Sequence, residues 1–389
     1  MTEIKVRLSG TNLERAADHN QRVVLHAIRV HRTVTRAALS NITGLTAPAV
    51  ANIVRRLTDD GLIVEAGRLR SGRGQPGKVL EINPKARYSF GINIDRDHVS
   101  FVLVNFLGEI HAQRHWERAF TLPQDVRQLW LKNAQDMMAE GDVAEAALCG
   151  IGIAIPDGID QLPAATPPRD YAAWNDVDPQ RLFEQPFDVP VFLENDAKAA
   201  ALGEQQFGSG ARYTSSLYLL ISSGLGGAFL VDGQVVRGAN GRSGEIGLIP
   251  VARDELLQDW VSLAGMARHL SAHGLALADL FDAPDDPSFA DAIEIWLTKA
   301  TAKMLPALVA TNCLLNPAAI LIGSRLPAAV TQRLAQSMES ALLKSFPGLP
   351  SYAQIEMAAL TGNAPAIGAA LLPFIQLYLP VENMLWKGD

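Results

Sequence analysis

The sequence is poor in cysteine and has no long apolar run. Its 389 residues include two cysteines, Cys149 and Cys313, which argues against a disulfide framework and against a metal site built from thiolates. Both stand beside apolar residues, so we expect two buried free thiols. No segment approaches the roughly 18 consecutive apolar residues of a membrane span. The N-terminus lacks the apolar core of a signal peptide, so the expected location is the cytoplasm.

Charged residues are also scarce, and they are unevenly distributed. They make up 19% of the chain against 48% hydrophobic residues, which is typical of compact globular domains. The length favours two or three domains. Within a net charge of −7, residues 1–87 hold 15 of the 34 Lys and Arg but 7 of the 41 Asp and Glu. A basic head on an acidic body predicts that a polyanion binds the head only.

The basic head contains the pattern of a helix-turn-helix. Apolar residues recur at helical spacing in residues 21–31, and Thr35 is placed to cap a second, short helix. Gly44 supplies the positive φ of a tight corner, and a third helix follows over APAVANIVRRLTDDG. The last helix of this motif enters the major groove of DNA. Its cap and its polar face therefore give four predicted DNA contacts: Thr46, Asn52, Arg55 and Arg56.

Two short apolar segments after the third helix predict a wing. Residues 61–65 and 79–82 have the composition of strands, and the connection RLRSGRGQPGKV is basic and rich in small residues. Such a connection suits close approach to a sugar–phosphate backbone. A minor-groove hook and a flexible basic tip are both compatible with it, and a helical bundle without a ligand is the alternative for the whole head. The predicted contacts of the wing are Arg70, Arg73 and Lys78.

From Tyr88 onward, strands alternate with helices, which predicts an α/β architecture. Residues 88–111 alternate in polarity and predict a hairpin or the first strands of a sheet. Later segments predict a buried strand, a strand followed by an alanine-rich helix, a pair of strands joined by a Gly-rich turn, and a strand that ends at Gly323. The predicted domains are residues 1–87, which bind DNA, and residues 88–389, which bind an effector and oligomerise.

Four stretches together carry a specific resemblance. They are TGLTAPAVANIVRRLTDDGLI, GIGIAIPDGID, LENDAKAAALGE and SSGLGGAFLVDGQVVRGANGRSGEIG. The body resembles the ROK family of repressors and sugar kinases, and the whole chain, over about residues 15–380, resembles ROK transcriptional regulators of the xylose- and N-acetylglucosamine-repressor type. The resemblance implies a winged helix-turn-helix followed by an actin-like, sugar-kinase-like α/β body of two lobes.

The resemblance also implies a sugar site in the cleft between the lobes. Asp196 matches the catalytic aspartate of the family's kinases, and its carboxylate can accept either a proton or a hydrogen bond from a bound sugar. A helix N-cap is the alternative role for the polar segment around it. Lys198 is open as well, since it can pair with a nearby carboxylate, Asp157 or Glu245, or face solvent. The implied sugar contacts are Asn195, Asp196 and Glu245, and the backbone around Gly158 would close one side of the site. Asp157 departs from the family's usual Pro-Gly and adds a carboxylate, which we also predict to contact the sugar.

The sequence departs from the family after Glu245. The family's Glu-Ile-Gly is followed by a His that contacts the sugar and binds zinc, then by a Cys-rich loop and a second glutamate. Here Leu248 replaces the His, the loop VARDELL contains no Cys or His, and Gln258 replaces the glutamate. Because zinc would have no ligand set, we expect no metal. Gln258 stays a predicted sugar contact, but as an amide, so the effector is an unusual sugar or polyol or binds weakly.

The nucleotide side departs too. Family kinases carry an Asp-x-Gly-Gly-Thr loop, whose glycines let backbone N–H groups reach phosphate. Here residues 93–97 are Asn-Ile-Asp-Arg-Asp, so Asp95 and Asp97 place negative charge where a triphosphate would lie. The second Gly-rich turn, residues 223–227, survives, either for phosphate or as a hairpin that the fold requires. We expect no ATP binding, no cofactor and no catalytic activity.

The sequence therefore predicts a transcriptional repressor of carbohydrate or polyol uptake and catabolism. Its partners would be operator DNA, a sugar or polyol effector, and further copies of itself in a homodimer or homotetramer. Effector binding would change lobe closure and the spacing of the DNA-binding heads. Two alternatives belong to other classes: an active sugar kinase with an accessory domain, and a DNA-binding protein whose cleft is vestigial.

Overall fold

The computed structural model describes residues 13–69, 77–160, 167–349 and 351–380. The head consists of three helices and a small antiparallel sheet of order β1-β3-β2, which is the predicted winged helix-turn-helix. Its elements are α1 (Leu13–His31), β1 (Val34–Thr35), α2 (Arg36–Thr43), α3 (Ala47–Asp59), β2 (Ile63–Leu69) and β3 (Gly77–Ile82).

Local signals set the corner of the helix-turn-helix. The Thr35 hydroxyl accepts a hydrogen bond from the Ala38 N–H at 3.3 Å, and Gly44 takes the left-handed conformation at φ 70°. Helices α2 and α3 consequently meet at 115°, an angle typical of this motif. Thr46 occupies the N-cap position of α3, but its side chain accepts no capping hydrogen bond. The capping role predicted for Thr46 is therefore wrong, although the helix begins where expected.

The first lobe of the body is a five-stranded sheet of order β6-β5-β4-β7-β8. Strand β4 pairs antiparallel with β5 and parallel with β7, so the chain crosses over between them through a helix. The elements are β4 (Tyr88–Ile94), β5 (His98–Asn105), β6 (Ile110–Glu117), α4 (Pro123–Glu140), β7 (Leu148–Ile155), β8 (Val191–Asn195) and α5 (Asp196–Phe207).

The second lobe repeats the arrangement with a sheet of order β11-β10-β9-β14-β15. Its largest core lies against the long helix α8. The elements are β9 (Ser215–Ile221), β10 (Leu225–Val231), β11 (Gln234–Val235), β12 (Pro250–Ala252), β13 (Glu255–Leu256), α6 (Leu263–Ser271), α7 (Leu277–Asp282), α8 (Ala290–Leu314), β14 (Ala319–Ser324), α9 (Ala328–Ser345), β15 (Gln354–Met357) and α10 (Ala364–Leu377).

Helices α5 and α10 lie between the two sheets and hold the lobes together. Small residues allow this: a Cβ atom on Gly91 would overlap the carbonyl oxygen of Ala366, and one on Gly368 would overlap that of Ala199. Helix α10 thus packs against β4, and α5 packs against α10. The other side of α5 contributes alanines to a core shared with the second sheet. The alanine-rich sequence of α5 is what permits contact on both sides.

Head and body share one continuous core. Val24, Leu25 and Ile28 of α1 belong to the same buried cluster as Phe106 and Phe374 of the body. Arg22 of α1 also donates a hydrogen bond to the carbonyl oxygen of Gln376 at 2.7 Å. The chain passes from β3 to β4 near the predicted boundary at residue 87, but the packing does not divide there. Apolar contact therefore fixes the head against the body.

The two cysteines differ in environment. Cys149 is buried in β7, and burial raises the pKa of its thiol to about 12. Cys313 is exposed near the end of α8, so the expectation of two buried thiols is wrong for Cys313. Its apolar neighbours in sequence misled the prediction because Leu314 and Leu315 are exposed as well. In the described ranges, no single helix has the length and apolar character to cross a membrane.

Candidate ligand cleft and nucleic-acid interface

Helix α3 presents two uncommitted cations. Its inner face, formed by Val50, Val54 and Leu57 among others, is buried in the head, which leaves Asn52, Arg55 and Arg56 exposed. Within the described ranges neither guanidinium group has an ion-pair or hydrogen-bond partner. Both guanidinium groups are therefore available to phosphates or base edges in a groove.

The wing is partly neutralised by an acid that the sequence analysis missed. Lys78 Nζ lies 2.6 Å from Glu65 Oε2, and Arg36 Nη2 lies 3.5 Å from Glu65 Oε1. Strand pairing places Glu65 on β2 opposite Leu80 of β3. The sequence alone does not give this register, so it could not predict the contact between Glu65 and Lys78. The other two predicted wing contacts, Arg70 and Arg73, lie outside the described residues.

Asn195 has the role of helix N-cap, which the sequence offered as the alternative to sugar contact. At the end of β8, its side-chain oxygen accepts a hydrogen bond from the Lys198 N–H at 3.2 Å and caps α5. Its amide nitrogen lies 3.4 Å from the Asp157 Oδ2 atom. Asp157 is exposed on the loop after β7. The cap therefore orients the amide so that its donor side faces the Asp157 carboxylate.

Asp196, the first residue of α5, is a buried acid with an altered proton affinity. Its side chain is 6% exposed, and one oxygen accepts a hydrogen bond from the Ala197 N–H at 2.8 Å. Burial, and then the charge of Asp95, raise the pKa of Asp196 to about 7. Near neutral pH this carboxyl can therefore both donate and accept hydrogen bonds, as recognition of a hydroxyl requires.

Lys198 takes neither of the roles proposed for it. The side chain is 3% exposed, so it does not face solvent, and its ammonium group donates a hydrogen bond to the carbonyl oxygen of Gly241. A nearby ion pair joins Glu194 Oε2 to Arg237 Nη2 at 2.5 Å. The two contacts fasten the end of β8 and the start of α5 to the loop that follows β11.

The other predicted sugar contacts, Glu245, Gln258 and Gly158, each lie beside an identified polar neighbour or turn. Glu245 is exposed, and its Oε1 atom accepts a hydrogen bond from Arg242 Nε at 3.0 Å. Gln258 lies beside the Gly-rich turn, where a Cβ atom on Gly224 would be 3.2 Å from its Oε1 atom. The carbonyl oxygen of Gly158 accepts a hydrogen bond from Arg96 Nη2 at 3.1 Å. Sequence analysis missed Arg96 and Arg242, whose positive charges lie beside Gly158 and Glu245.

The turn after β4 and the Gly-rich turn between β9 and β10 are tied together. Asp95, at the end of β4, accepts hydrogen bonds from the Arg96 N–H at 2.7 Å and from the Ser223 hydroxyl at 2.8 Å. Burial alone would raise its pKa, but His98, Arg96 and these hydrogen bonds hold the pKa of Asp95 below the ordinary value. The carboxylate therefore stays ionised and joins the first lobe to the second.

A second contact between the lobes lies beside the first. Arg325, at the end of β14, pairs with Asp97 and with Glu117 of the first lobe. A cavity of about 640 Å³ opens next to it, between α7, α9 and the edge strand β6. None of the predicted sugar contacts lines this cavity, so it is separate from the residues around Asp196.

Comparison with known proteins identifies the architecture. Residues 89–374 match the ROK family, and residues 18–64 match the winged helix-turn-helix DNA-binding family. The chain belongs to the ROK family. Its head and body together give the domain arrangement of a ROK transcriptional regulator, as the sequence predicted.

Relatives of this ROK protein include repressors and kinases. It is 32% identical to a xylose repressor of Bacillus spizizenii over 230 residues, which span 59% of each chain. It is 29% identical to the uncharacterised protein y4fQ of Sinorhizobium fredii over 92% of this chain and 91% of that one. A glucokinase of Halalkalibacterium halodurans is 26% identical over 78% of this chain and 98% of its own length.

Solved structures show the same fold. A ROK family transcriptional regulator homologous to the E. coli MLC protein superposes with a TM-score of 0.71 at 19% identity, over 95% of this chain and 99% of that one. A ROK glucokinase of Streptomyces griseus superposes with a TM-score of 0.57 at 20% identity, over 73% and 98%. The regulator matches the head as well as the body, whereas the kinase leaves about a quarter of this chain unmatched.

The zinc site implied by the ROK resemblance does not fit the residues present. Leu248 is 45% exposed and begins a segment that folds into the β12–β13 hairpin, with no His or Cys among residues 248–258. In the described ranges, three other donors, Asp95, Asp97 and His98, come within 4.8 Å of one another. Their carboxylates already accept hydrogen bonds from Ser223 and Arg325, so this group is an interlobe contact.

Proposed function

We propose that the protein is a transcriptional repressor that binds operator DNA through α3 and the wing, and that a sugar or polyol in the interlobe cleft controls this binding. The genes under control would serve carbohydrate or polyol uptake and catabolism. The observation that carries the proposal is a combination of two features. Helix α3 has two exposed guanidinium groups without partners among the described residues, and the polar groups around Asp196 suit hydroxyls. In addition, Asp95 and Ser223 join the two turns at which a kinase would bind phosphate.

The DNA-binding part of the proposal rests on charge and placement. Arg55 and Arg56 stand exposed on the second helix of a helix-turn-helix, where side chains meet the major groove. The similarity to a xylose repressor supports a repressor's role. We propose that a homodimer binds palindromic operators with half-sites spaced by whole turns of about 10 bp.

The ligand-binding part rests on the groups around α5. Asp196, Asn195 and Asp157 offer an acid, an amide and a carboxylate within one network, and Arg242 supports Glu245 at the rim. Such mixed donors and acceptors suit a polyhydroxylated neutral molecule. We propose that the site works without zinc, since residues 248–258 contain no His or Cys, and without ATP, since the ionised Asp95 occupies the turn where phosphates would lie.

Selection of DNA from a randomised duplex pool tests the first part. The wild type should enrich a palindromic sequence whose affinity falls as salt rises. Arg55→Gln and Arg56→Gln should each weaken binding about tenfold, or reduce the slope of log affinity against log salt concentration by about one. Arg127→Gln changes an exposed arginine of α4 in the body and serves as the matched control. Equal binding by all four proteins would overturn the proposal.

Thermal unfolding with a panel of monosaccharides, polyols and sugar phosphates tests the second part. A bound compound should raise Tm by mass action, and Asn195→Ala should abolish that rise. Asn175→Ala removes an exposed amide that contacts Asp160 and should leave it unchanged. If no compound raises Tm while DNA selection succeeds, the cleft is vestigial and the sensor proposal is wrong.

A sugar kinase is the second candidate, and one observation favours it. The pKa of Asp196 near 7 suits a general base at neutral pH. Against it, the turn at Asp95 is occupied by the Ser223 hydroxyl and by carboxylate charge. ATP-dependent phosphorylation of the sugar panel separates the two functions. Turnover that Asp196→Asn abolishes would establish the kinase.

A further inference from the structure

Helix α5 runs from the proposed ligand site to the DNA-binding head. Its first residue is Asp196, and its last residue is Phe207. Twelve helical residues span about 18 Å, so a single element covers the distance between cleft and head. The last turn, Gln206 and Phe207, contacts Arg29 of α1. A change in the position of α5 therefore reaches the head without an intervening loop.

Arg29 is an unusual residue for a helix interface. Its side chain is 6% exposed, and within the described ranges no carboxylate pairs with it. The guanidinium donates a hydrogen bond to the Gln206 side-chain oxygen and lies 5.7 Å from the ring centroid of Phe207 and 5.9 Å from that of Phe106. Burial, and then the charge of Arg32, lower the pKa of Arg29 to about 10.

A buried cation without a carboxylate is costly, because only a hydrogen bond and the faces of two rings replace its water. A methionine or leucine would fill similar space without that cost. Unlike an apolar side chain, the guanidinium forms a directional hydrogen bond. Its bond to Gln206 holds α1 at one position along α5. Helix α1 in turn packs against α3 in the same core, so this position also sets the placement of the recognition helix.

Helix α5 is also placed to move with the lobes. At its start, Lys198 donates a hydrogen bond to Gly241 of the second lobe. Near its end, the buried Glu204 accepts hydrogen bonds from the N–H groups of Ala359 and Leu360, at 2.7 and 2.8 Å. The helix follows directly on β8 of the first lobe, whose last residue is Asn195. A change in the angle between the lobes must therefore shift α5 relative to one of them.

We propose that α5 transmits the state of the ligand cleft to the DNA-binding head, and that the contact of Arg29 with Gln206 and Phe207 is the joint through which it does so. This inference rests on the proposed function, because it assigns a route between the two proposed sites. Arg29 and Gln206 are positioning residues in this scheme. They touch neither DNA nor ligand, and their effect is on the coupling between the two.

The test measures a coupling factor, the ratio of the Kd for the selected duplex with and without a saturating sugar. The sugar is the panel compound with the largest rise in Tm, D-xylose being tried first. Gln206→Ala should bring the coupling factor at least about fivefold closer to one. The Kd for the sugar, and the Kd for the duplex measured without sugar, should stay within about twofold of the wild-type values. Gln206→Glu keeps an acceptor for Arg29 and should retain the coupling.

Gln205→Ala is the matched control, because it removes the neighbouring amide of the same helix, which does not contact Arg29. It should leave the coupling factor at the wild-type value. Arg29→Met removes the other partner of the contact and should also bring the coupling factor toward one. The Gln206→Ala result remains a valid test if Arg29→Met does not fold. Wild-type coupling in folded Gln206→Ala would overturn the joint. A wild-type factor of one would instead overturn the sensor proposal, and the joint with it.

Discussion

At Asp196, burial and the nearby charge of Asp95 place the pKa close to 7, while Asp95 itself stays ionised. The two acids therefore divide their roles, as coupled buried carboxyls do. Asp95 holds the lobes together through Ser223. Asp196 carries a proton near neutral pH, so it can donate a hydrogen bond to a ligand hydroxyl. The site is thus sensitive to pH at the residue that begins α5.

This proton predicts how stability depends on pH. Asp196 holds its proton to about pH 7 in the folded protein, but only to about pH 4 in the unfolded chain. Between these values the folded state binds more protons, so its contribution to stability falls as pH rises and levels off above about 7. Asp196→Asn removes this pH-dependent loss of stability, because the amide does not titrate. Its side-chain oxygen can still accept the hydrogen bond from the Ala197 N–H. Its Tm relative to wild type should therefore rise from pH 5 to pH 8.

The control for this experiment is Asp285→Asn, which alters an exposed carboxylate far along the chain. Its Tm should follow that of wild type at every pH. Thermal unfolding in buffers of constant ionic strength gives the comparison. A difference between Asp196→Asn and wild type that stays constant over this range would contradict the assigned pKa.

Single residues were predictable from the sequence where their cause was local. Gly44 and the Thr35 cap depend on neighbours within four residues, and both are in place. Lys198 and Arg29 were not predictable, because their partners Gly241 and Gln206 lie 43 and 177 positions away in the chain. The predicted DNA contacts on α3 are exposed, but their binding to DNA stays a prediction.

Among the elements, α5 and α10 depend most on small residues. A Cβ atom on Gly368 would overlap the carbonyl oxygen of Ala199, so Gly368→Ala must push the helices apart. We expect a loss of about 1–3 kcal/mol in the free energy of unfolding, measured by urea denaturation. Gly348→Ala is the matched control, because a Cβ there meets nothing within 4 Å. It should be neutral or slightly stabilising.

The β12–β13 hairpin gives a prediction about metal. Residues 248–258 contain no His or Cys, so the purified protein should contain no stoichiometric zinc by elemental analysis. Prolonged dialysis against a chelator should leave Tm unchanged, because no structural metal supports this segment. A fall of several degrees that added zinc reverses would contradict both expectations.

Elements were predictable from periodicity, but their surroundings were not. The alternation in residues 88–111 correctly predicted strands, yet every residue of β4 and β5 is buried, because α4 and α10 cover both faces of the sheet. The two-residue strand β1 was too short to leave a pattern. The predicted sugar contacts at Asp157, Asn195 and Asp196 do lie together, whereas Gln258 lies beside Gly224 for reasons that only the fold supplies.

For the whole molecule, the ion pairs of Arg325 predict how firmly the lobes are held. Arg325→Leu leaves Asp97 with the His98 imidazole as its remaining ion-pair partner. We expect a loss of about 1–2 kcal/mol in the free energy of unfolding, since Asp97 and Glu117 are partly exposed. Amide exchange should also speed up at residues 95–98. Arg333→Leu, which breaks an exposed pair with Glu294, should change neither quantity appreciably.

The core shared by α1 and the body limits how the protein could be recombined. A cut between β3 and β4 would expose Val24, Leu25 and Ile28 on one fragment and Phe106 and Phe374 on the other, so neither fragment should remain well behaved in solution. A sensor assembled from this body and a foreign DNA-binding head would need α1, or the apolar face of α1, to travel with the body. The exchangeable unit is therefore the surface of α3 and the wing.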